Sequence, residues 1–215
     1  PEWICWSPDG ERIAVDCRSS DGVDRLLKVF DCQTLNVIYS LETAGQGNPR
    51  ELRSMAWSPD ARYLAAATFD GPDGYVTIWE MANVKDVIRL QVDCPMDSVA
   101  WSPDGSHLAA ATWDGDICIY DSRDWDLVEV LRVHGQQVLW LDWHPRMPRL
   151  ASGGHDRTVR IWDTSTAQEL LSFQAHQRAV TGVTESRLPR WTTAISASRG
   201  SALSSASVTT RGSLR

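Results

Sequence analysis

The sequence is short of phenylalanine, of paired cysteines and of long apolar runs, and each shortage weakens one class of explanation. Three Phe stand against 11 Trp in 215 residues, so the aromatic content is concentrated in one large ring type. The five cysteines (Cys5, Cys17, Cys32, Cys94 and Cys118) form an odd set without a C-x-x-C pair. Such a set indicates neither a zinc site nor a disulfide framework. It fits small buried thiols in a reducing, cytoplasmic compartment. No stretch reaches the roughly 18 apolar residues of a membrane helix, and no charged-then-apolar leader opens the chain. A net charge of −7 has the wrong sign for gripping a nucleic-acid backbone. The motifs G-x-S-x-G and H-E-x-x-H and a phosphate-cradling glycine loop are also missing. The histidines, at 107, 134, 144, 155 and 176, have no ligand spacing. Neither a catalytic residue, a metal site nor a cofactor is indicated, and neither nucleic acid nor membrane is an expected partner. The chain begins with Pro1 rather than Met and reads as a segment of something longer.

What is present is repetition. CWSPDGERIAV starts at Cys5, AWSPDARYLAA at Ala56, AWSPDGSHLAA at Ala100 and DWHPRMPRLAS at Asp142. The anchoring Trp6, Trp57, Trp101 and Trp143 stand 51, 44 and 42 residues apart. A second block follows each of them in step: LKVFD at 27–31, VTIWE at 76–80, ICIYD at 117–121 and VRIWD at 159–163. Each unit reads as four short strands. An apolar stretch ends in Trp, and Ser-Pro-Asp-Gly then turns the chain, Pro fixing φ and Gly taking positive φ. A small-residue strand follows, then a tight turn after Asp70, Asp114 or Asp156, then an alternating strand and an amphipathic fourth. Four antiparallel strands in about 42 residues describe one propeller blade.

These motifs resemble the WD-repeat (WD40) family. The resemblance covers roughly residues 1–185 and implies an all-β propeller arc of four blades, with an incomplete fifth starting near His176. In the fourth unit His134, Ser152, Asp156 and Trp162 fall where the family places a hydrogen-bonded tetrad. There the resemblance implies that Asp holds the imidazole, His reaches Ser and the hydroxyl reaches the indole. Such a chain leaves no buried polar group unsatisfied. His134-Gly135 stands in the reverse of the family's Gly-His order. The other units depart further. The third has Ala110 for Ser and Tyr120 for Trp, the second keeps Asp70 and Trp79 but has Ala66, and the first has Phe30-Asp31 and an insert near Ser19 to Asp24. Those blades are expected to rely on apolar packing.

After Glu185 the pattern fails. Residues 186–215 contain no acidic residue, five Arg and eight Ser, whereas residues 1–185 carry 16 basic and 28 acidic groups. Three readings are open: an irregular or disordered linker, a diverged blade, or a blade read in a shifted frame. The third has a specific motive. Trp191 requires the codon TGG, so Arg190-Trp191-Thr192 read one base later contains a Gly codon. Suitable codons for Pro189 and Arg190 then give Pro-Asp-Gly.

The residues that the repeat does not explain are the candidates for contact. Just before each second-turn Asp stand Phe69, Trp113 and His155. Three places before each anchoring Trp stand Trp3, Ser54, Ser98 and Trp140, and one place earlier Arg53 and Asp97. Trp3, Arg53, Phe69, Asp97, Trp113, Trp140 and His155 are therefore the expected top-face binding set. For Trp3 and Trp140 two readings stay open, partner recognition and cover for the central channel. The family resemblance implies a non-catalytic scaffold binding other proteins or peptides. The alternatives are a gate or accessory domain of a hydrolase, signalling ATPase or kinase, and a modified-lysine reader. The last requires Phe69, Trp113 and an inner-strand Trp to converge.

Overall fold

Short alternating segments separated by Pro-Asp-Gly and Asp-Gly turns close each repeat as one antiparallel sheet. The computed structural model describes residues 3–18, 25–42, 51–84, 87–132, 134–174, 194–199 and 202–207. In the last two stretches, and at a few strand ends, the description is of backbone only. Blade 1 comprises β1 (Ile4–Trp6), β2 (Arg12–Arg18), β3 (Arg25–Asp31) and β4 (Val37–Glu42). Blade 2 comprises β5 (Glu51–Trp57), β6 (Tyr63–Asp70), β7 (Asp73–Glu80) and β8 (Val87–Val92). Blade 3 follows with β9 (Met96–Trp101), β10 (His107–Thr112), β11 (Asp116–Asp121) and β12 (Leu127–Arg132). Blade 4 is β13 (Val138–Trp143), β14 (Arg149–Gly154), β15 (Thr158–Asp163) and β16 (Gln168–Gln174). In every blade the strands pair in chain order, and no helix occurs among the described residues.

The expected start of a fifth unit at 176–183 lies outside the described residues. Most of the tail from 186 onward does too. Within that tail, β17 (Ala194–Arg199) and β18 (Ala202–Ser207) pair with each other as an antiparallel hairpin.

The core is divided into layers between blades. One cluster joins Ala14, Leu27 and Val29 of blade 1 to Trp57, Leu64, Ala66 and Trp79 of blade 2. A second joins Ala65, Ala67, Val76 and Ile78 to Trp101, Leu108, Ala110 and Tyr120, and a third joins blades 3 and 4. The alternation of a strand explains this: Leu64 and Ala66 face one neighbour, Ala65 and Ala67 the other. A strand buried on both faces between two sheets must be narrow, hence the run of alanines. Fully burying a side chain as large as Trp79 contributes about 1.5–3 kcal/mol or more.

Two hydrogen bonds recur at the blade interfaces. The indole N–H of Trp57, Trp101 and Trp143 donates to the inner strand of the preceding blade, at Cys5 O (3.4 Å), Ala56 O (3.2 Å) and Ala100 O (3.0 Å). The hydroxyls of Ser54 and Ser98 accept the backbone N–H of Val99 (3.3 Å) and Leu141 (3.2 Å) of the next blade. Trp57, Trp101 and Trp143 are 7–8% exposed, whereas Trp6, at the same repeat position of blade 1, is 64% exposed.

The Ser-Pro-Asp-Gly turns are closed internally. The Ser102 hydroxyl donates to Asp104 (2.6 Å) and accepts the N–H of His107 (2.9 Å), and Asp104 accepts the N–H of Ser106 (3.0 Å). Ser58 and Asp60 repeat the arrangement, and Ser7 pairs with Asp9 in the same way. The hydroxyl of Ser102, with further bonds from Ser106, holds the Asp104 carboxyl below its ordinary value despite some desolvation. These carboxylates cap their own turns.

Candidate functional site

In blades 2, 3 and 4 the second turn and the start of the inner strand lie at the same end of the sheet, as the register shows: Glu51 pairs with Phe69, Met96 with Thr112, and Val138 with Gly154. This end, called the top here, carries the candidate contact residues. Near the top the inner strands of blades 2, 3 and 4 each have one extra residue. Pairing slips between Leu52 and Ser54, between Met96 and Ser98, and between Val138 and Trp140, which makes Arg53, Asp97 and Leu139 bulge residues. A bulge interrupts the alternation of faces and re-aims its side chain. Arg53 and Asp97 stand at two of these positions.

Four of the seven candidates meet in one cluster drawn from blades 2 and 3. The rings of Phe69 and Trp113 stand 5.5 Å apart, tilted by 54°. The Arg53 guanidinium carbon lies 5.0 Å from the Phe69 centroid and 5.9 Å from that of Trp113. Both distances fall within cation–π range. Its Nε is 3.7 Å from an Asp97 carboxylate oxygen, and the other oxygen of Asp97 accepts a hydrogen bond from the side-chain amide of Gln137 in blade 4. The backbone N–H of His155, an exposed residue, donates to Gln137 O (2.9 Å). Gln137 thus ties the cluster to blade 4. Sequence reasoning missed it, because a polar residue at a strand start matches every pattern equally well.

Trp3 and Trp140 lie elsewhere. Their rings stack on each other, 6.3 Å apart at 27°, joining the inner strands of blades 1 and 4. The three-ring convergence needed for a modified-lysine cage is therefore not formed: Phe69 and Trp113 meet, and the inner-strand tryptophans pair with each other.

The second-turn aspartates have unlike surroundings. In blade 4, His134 Nδ1 lies 2.9 Å from Asp156 and Nε2 lies 2.8 Å from the Ser152 hydroxyl, which accepts the Trp162 indole N–H at 2.9 Å. Burial lowers the imidazole's proton affinity, outweighing the opposing pull of Asp156, so His134 is neutral near pH 7. A neutral ring with its proton on Nδ1 donates to Asp156 and accepts from Ser152, which accounts for each polar atom in the chain. Thr158, which the repeat pattern did not single out, completes the turn by donating its N–H (3.0 Å) and hydroxyl (2.7 Å) to Asp156. In blade 3, Asp114 instead sits beside the thiol of Cys94, which burial pushes above its ordinary value. The side chain of Asp70 lies outside the described residues.

Comparison with known proteins agrees with this architecture. The family model described as eukaryotic translation initiation factor eIF2A matches residues 2–119, more than half of the chain, and that described as WD domain, G-beta repeat matches residues 125–163. WD repeat-containing protein 90 of Xenopus tropicalis is 30% identical over 59% of this chain and 7% of its own length. Meiotic fizzy-related protein 1 of Schizosaccharomyces pombe is 27% identical over 64% of this chain and 32% of its own. The chain therefore spans less than a third of either relative. A chain in the crystal structure of a mitotic checkpoint complex superposes with a TM-score of 0.73 at 21% identity, covering 90% of this chain and 62% of that one. The chain belongs to the family of the eIF2A model, a WD-like domain, and through its four repeats to the WD-repeat β-propellers.

Proposed function

We propose that this chain is a non-catalytic docking platform whose top face captures partner proteins through Arg53, Phe69, Asp97 and Trp113, in a cytoplasmic setting. WD-repeat relatives point to a protein-interaction scaffold as the general role. Their names diverge, from translation initiation factor to meiotic fizzy-related protein, as expected when a fold is shared and the partner is not. The observation that carries the reading is the cluster itself. Four residues unexplained by the repeat, two of them placed by strand bulges, converge on one patch with Trp113 36% exposed. Large aromatic rings with few rotors make efficient anchors. Trp3 and Trp140 stack on each other, and Trp3 also packs against the core between blades 1 and 2, which supports reading the pair as cover for the central channel. The thiols of Cys94 and Cys118 are buried, which supports the small-apolar use of cysteine.

The test is capture of a natural partner from the source cell, followed by binding measured with purified components. Trp113→Ala is expected to weaken binding about tenfold or more with the fold intact, because truncated anchors typically cost above ~1 kcal/mol. Glu129→Ala, on the outer strand of blade 3, is expected to change almost nothing. Normal binding by Trp113→Ala, with loss on changing an outer strand, moves the interface to the blade edges. Reproducible turnover of any substrate, abolished by one point mutation, overturns the non-catalytic reading.

A further inference from the structure

His134 and Gln137 bracket a short loop, His134-Gly135-Gln136-Gln137, and both of its ends are fastened to one turn of blade 4. His134 Nδ1 lies 2.9 Å from Asp156, and Gln137 O accepts the N–H of His155, the residue before Asp156, at 2.9 Å. Chain and hydrogen bonds together thus close a ring. Gly154 sits where its parts meet. A Cβ there would stand 2.9 Å from His134 Nδ1, 3.0 Å from Gln137 O and 3.2 Å from an Asp156 carboxylate oxygen. In so tight a space one end of the loop cannot shift without the other. On the far side the Gln137 amide donates to Asp97, whose other oxygen lies 3.7 Å from Arg53 Nε. An unbroken path of contacts therefore runs from the polar chain of blade 4 to the contact cluster of blades 2 and 3.

Resting on the top-face reading above, we infer that blade 4 regulates that face: a proton taken up by His134 loosens the 134–137 loop and the Gln137–Asp97 bond, so that partner capture falls in acid. The reason lies in the count of donors. In the neutral ring Nε2 accepts from the Ser152 hydroxyl, whose oxygen accepts the Trp162 N–H. A proton on Nε2 leaves Ser152 facing two donors, and its own hydroxyl hydrogen loses its acceptor at a residue 0% exposed. Withdrawing the ring from Ser152 relieves the conflict, and the loop moves with it. The surroundings set where this happens. Burial opposes the proton most, Asp156 favours it, Arg160 opposes it and Glu169 of the outer strand favours it. Arg160 is itself held between the two carboxylates, 3.6 Å from Asp156 and 2.6 Å from Glu169. Blade 3 meets His134 through backbone, the His134 N–H donating to Gly115 O at 3.3 Å. The aspartates of that turn are engaged elsewhere, Asp114 beside Cys94 and Asp116 3.7 Å from Arg132.

The experiment follows the backbone amide of Asp97 by NMR in the labelled 215-residue chain, beside the ring signals of His134, from about pH 7 to about pH 5. The Asp97 amide is expected to shift with a midpoint below 6.5, equal to that of the His134 ring. In Gln137→Met the His134 ring should still titrate while the Asp97 amide no longer follows it. His134→Gln should also remove the response, whereas His155→Ala, which keeps the backbone N–H, should preserve it. Because Gln137→Met leaves the polar chain of blade 4 whole, the test holds even if His134→Gln unfolds. An Asp97 amide that ignores the His134 midpoint, or that still follows it in Gln137→Met, overturns the inference. So does a response lost in His155→Ala, which would place the proton on the exposed imidazole. Capture of the natural partner over the same pH step should fall about threefold or more in the parent chain and stay flat in Gln137→Met. Flat capture by the parent chain overturns the regulation. The two readings fail separately. If Trp113→Ala abolishes capture but the Asp97 amide ignores His134, the top face stands without this control. If the amide follows His134 but Trp113→Ala captures normally, the linkage stands, while the top-face reading and the control of capture built on it fall.

Discussion

Blades 3 and 4 solve the same packing problem with different chemistry. Each buries a large aromatic on its third strand opposite a leucine of its second, Tyr120 opposite Leu108 and Trp162 opposite Leu150. In blade 4 a polar chain runs from Asp156 through His134 and Ser152 to that aromatic, with His134 and Ser152 both buried. In blade 3 the serine position is Ala110, inside an apolar cluster that also contains Tyr120 and Cys118. A buried polar chain contributes orientation as long as every member is paired, and becomes a liability when one is removed. An apolar blade has no such single point of failure. The two blades should therefore differ in fragility more than in stability.

The largest expected effect sits at the turn where they touch. Gly115 of blade 3 has φ +92°, and a Cβ there would stand 2.1 Å from the carbonyl oxygen of His134. Backbone cannot yield as a flexible side chain can. Gly115→Ala is expected to cost about 3 kcal/mol or more in urea denaturation. A cost below about 1 kcal/mol would show that the two blades are less tightly seated here.

Trp162→Phe should cost about 1–3 kcal/mol, since it removes a buried donor and strands the Ser152 hydroxyl. Tyr120→Phe removes a hydroxyl whose side-chain partner is the Cys118 thiol, a weak acceptor, and should cost about 1 kcal/mol or less. Equal losses in thermal unfolding would erase the distinction between a polar and an apolar blade.

Acidification should act on blade 4 through the same chain. His134 in the folded protein is depressed below its ordinary value of 6.5, first by burial. The unfolded chain then binds the proton more readily, so this contribution is complete above pH 6.5 and is lost as pH falls from there through the folded value. The melting temperature should drop between pH 7 and pH 5, by a few degrees, and more steeply than in His134→Gln. His144 is also depressed by burial, so the difference between the two proteins, rather than either curve alone, isolates His134. Parallel curves would mean that folding leaves the proton affinity of the imidazole unchanged.

Much of the fold was legible because period and turn chemistry are local. Trp6, Trp57, Trp101 and Trp143 mark the ends of inner strands, and the third strands end where the second repeat block ends, at Asp31, Glu80, Asp121 and Asp163. The alanine runs at 65–67 and 109–111 record the narrowness of a layer packed on both faces. The candidate site was legible in part. Arg53, Phe69, Asp97 and Trp113 stood out because the repeat did not require them, but nothing in their spacing announced the bulges that bring them together. The Trp3–Trp140 stack and the Gln137–Asp97 bond depend on how successive blades are set against one another, which sequence spacing does not encode.

The smallest effect contrasts the same turn across blades. Gly71, Gly115 and Arg157 share one repeat position, with φ of 61°, 92° and 68°. Glycine enters this left-handed region freely, whereas a residue with a Cβ is strained there by about 1–2 kcal/mol. The Arg157 side chain is exposed, and the turn bond from its N–H to Gly154 O (3.1 Å) is available to any residue. Glycine gives back part of the relief through the greater freedom of the unfolded chain, about 0.5–1 kcal/mol. Arg157→Gly should therefore stabilise blade 4 by about 0.5–1 kcal/mol in denaturant midpoints. Ala61 provides the control, at φ 58° in the first turn of blade 2, where Gly10 and Gly105 occupy the same place in blades 1 and 3. Its methyl is buried, so Ala61→Gly trades strain relief against lost packing and should be close to neutral. If Ala61→Gly stabilises as much as Arg157→Gly, backbone strain alone sets the turn energetics. If neither stabilises, the left-handed strain at these positions is already relieved by the turn bonds around them.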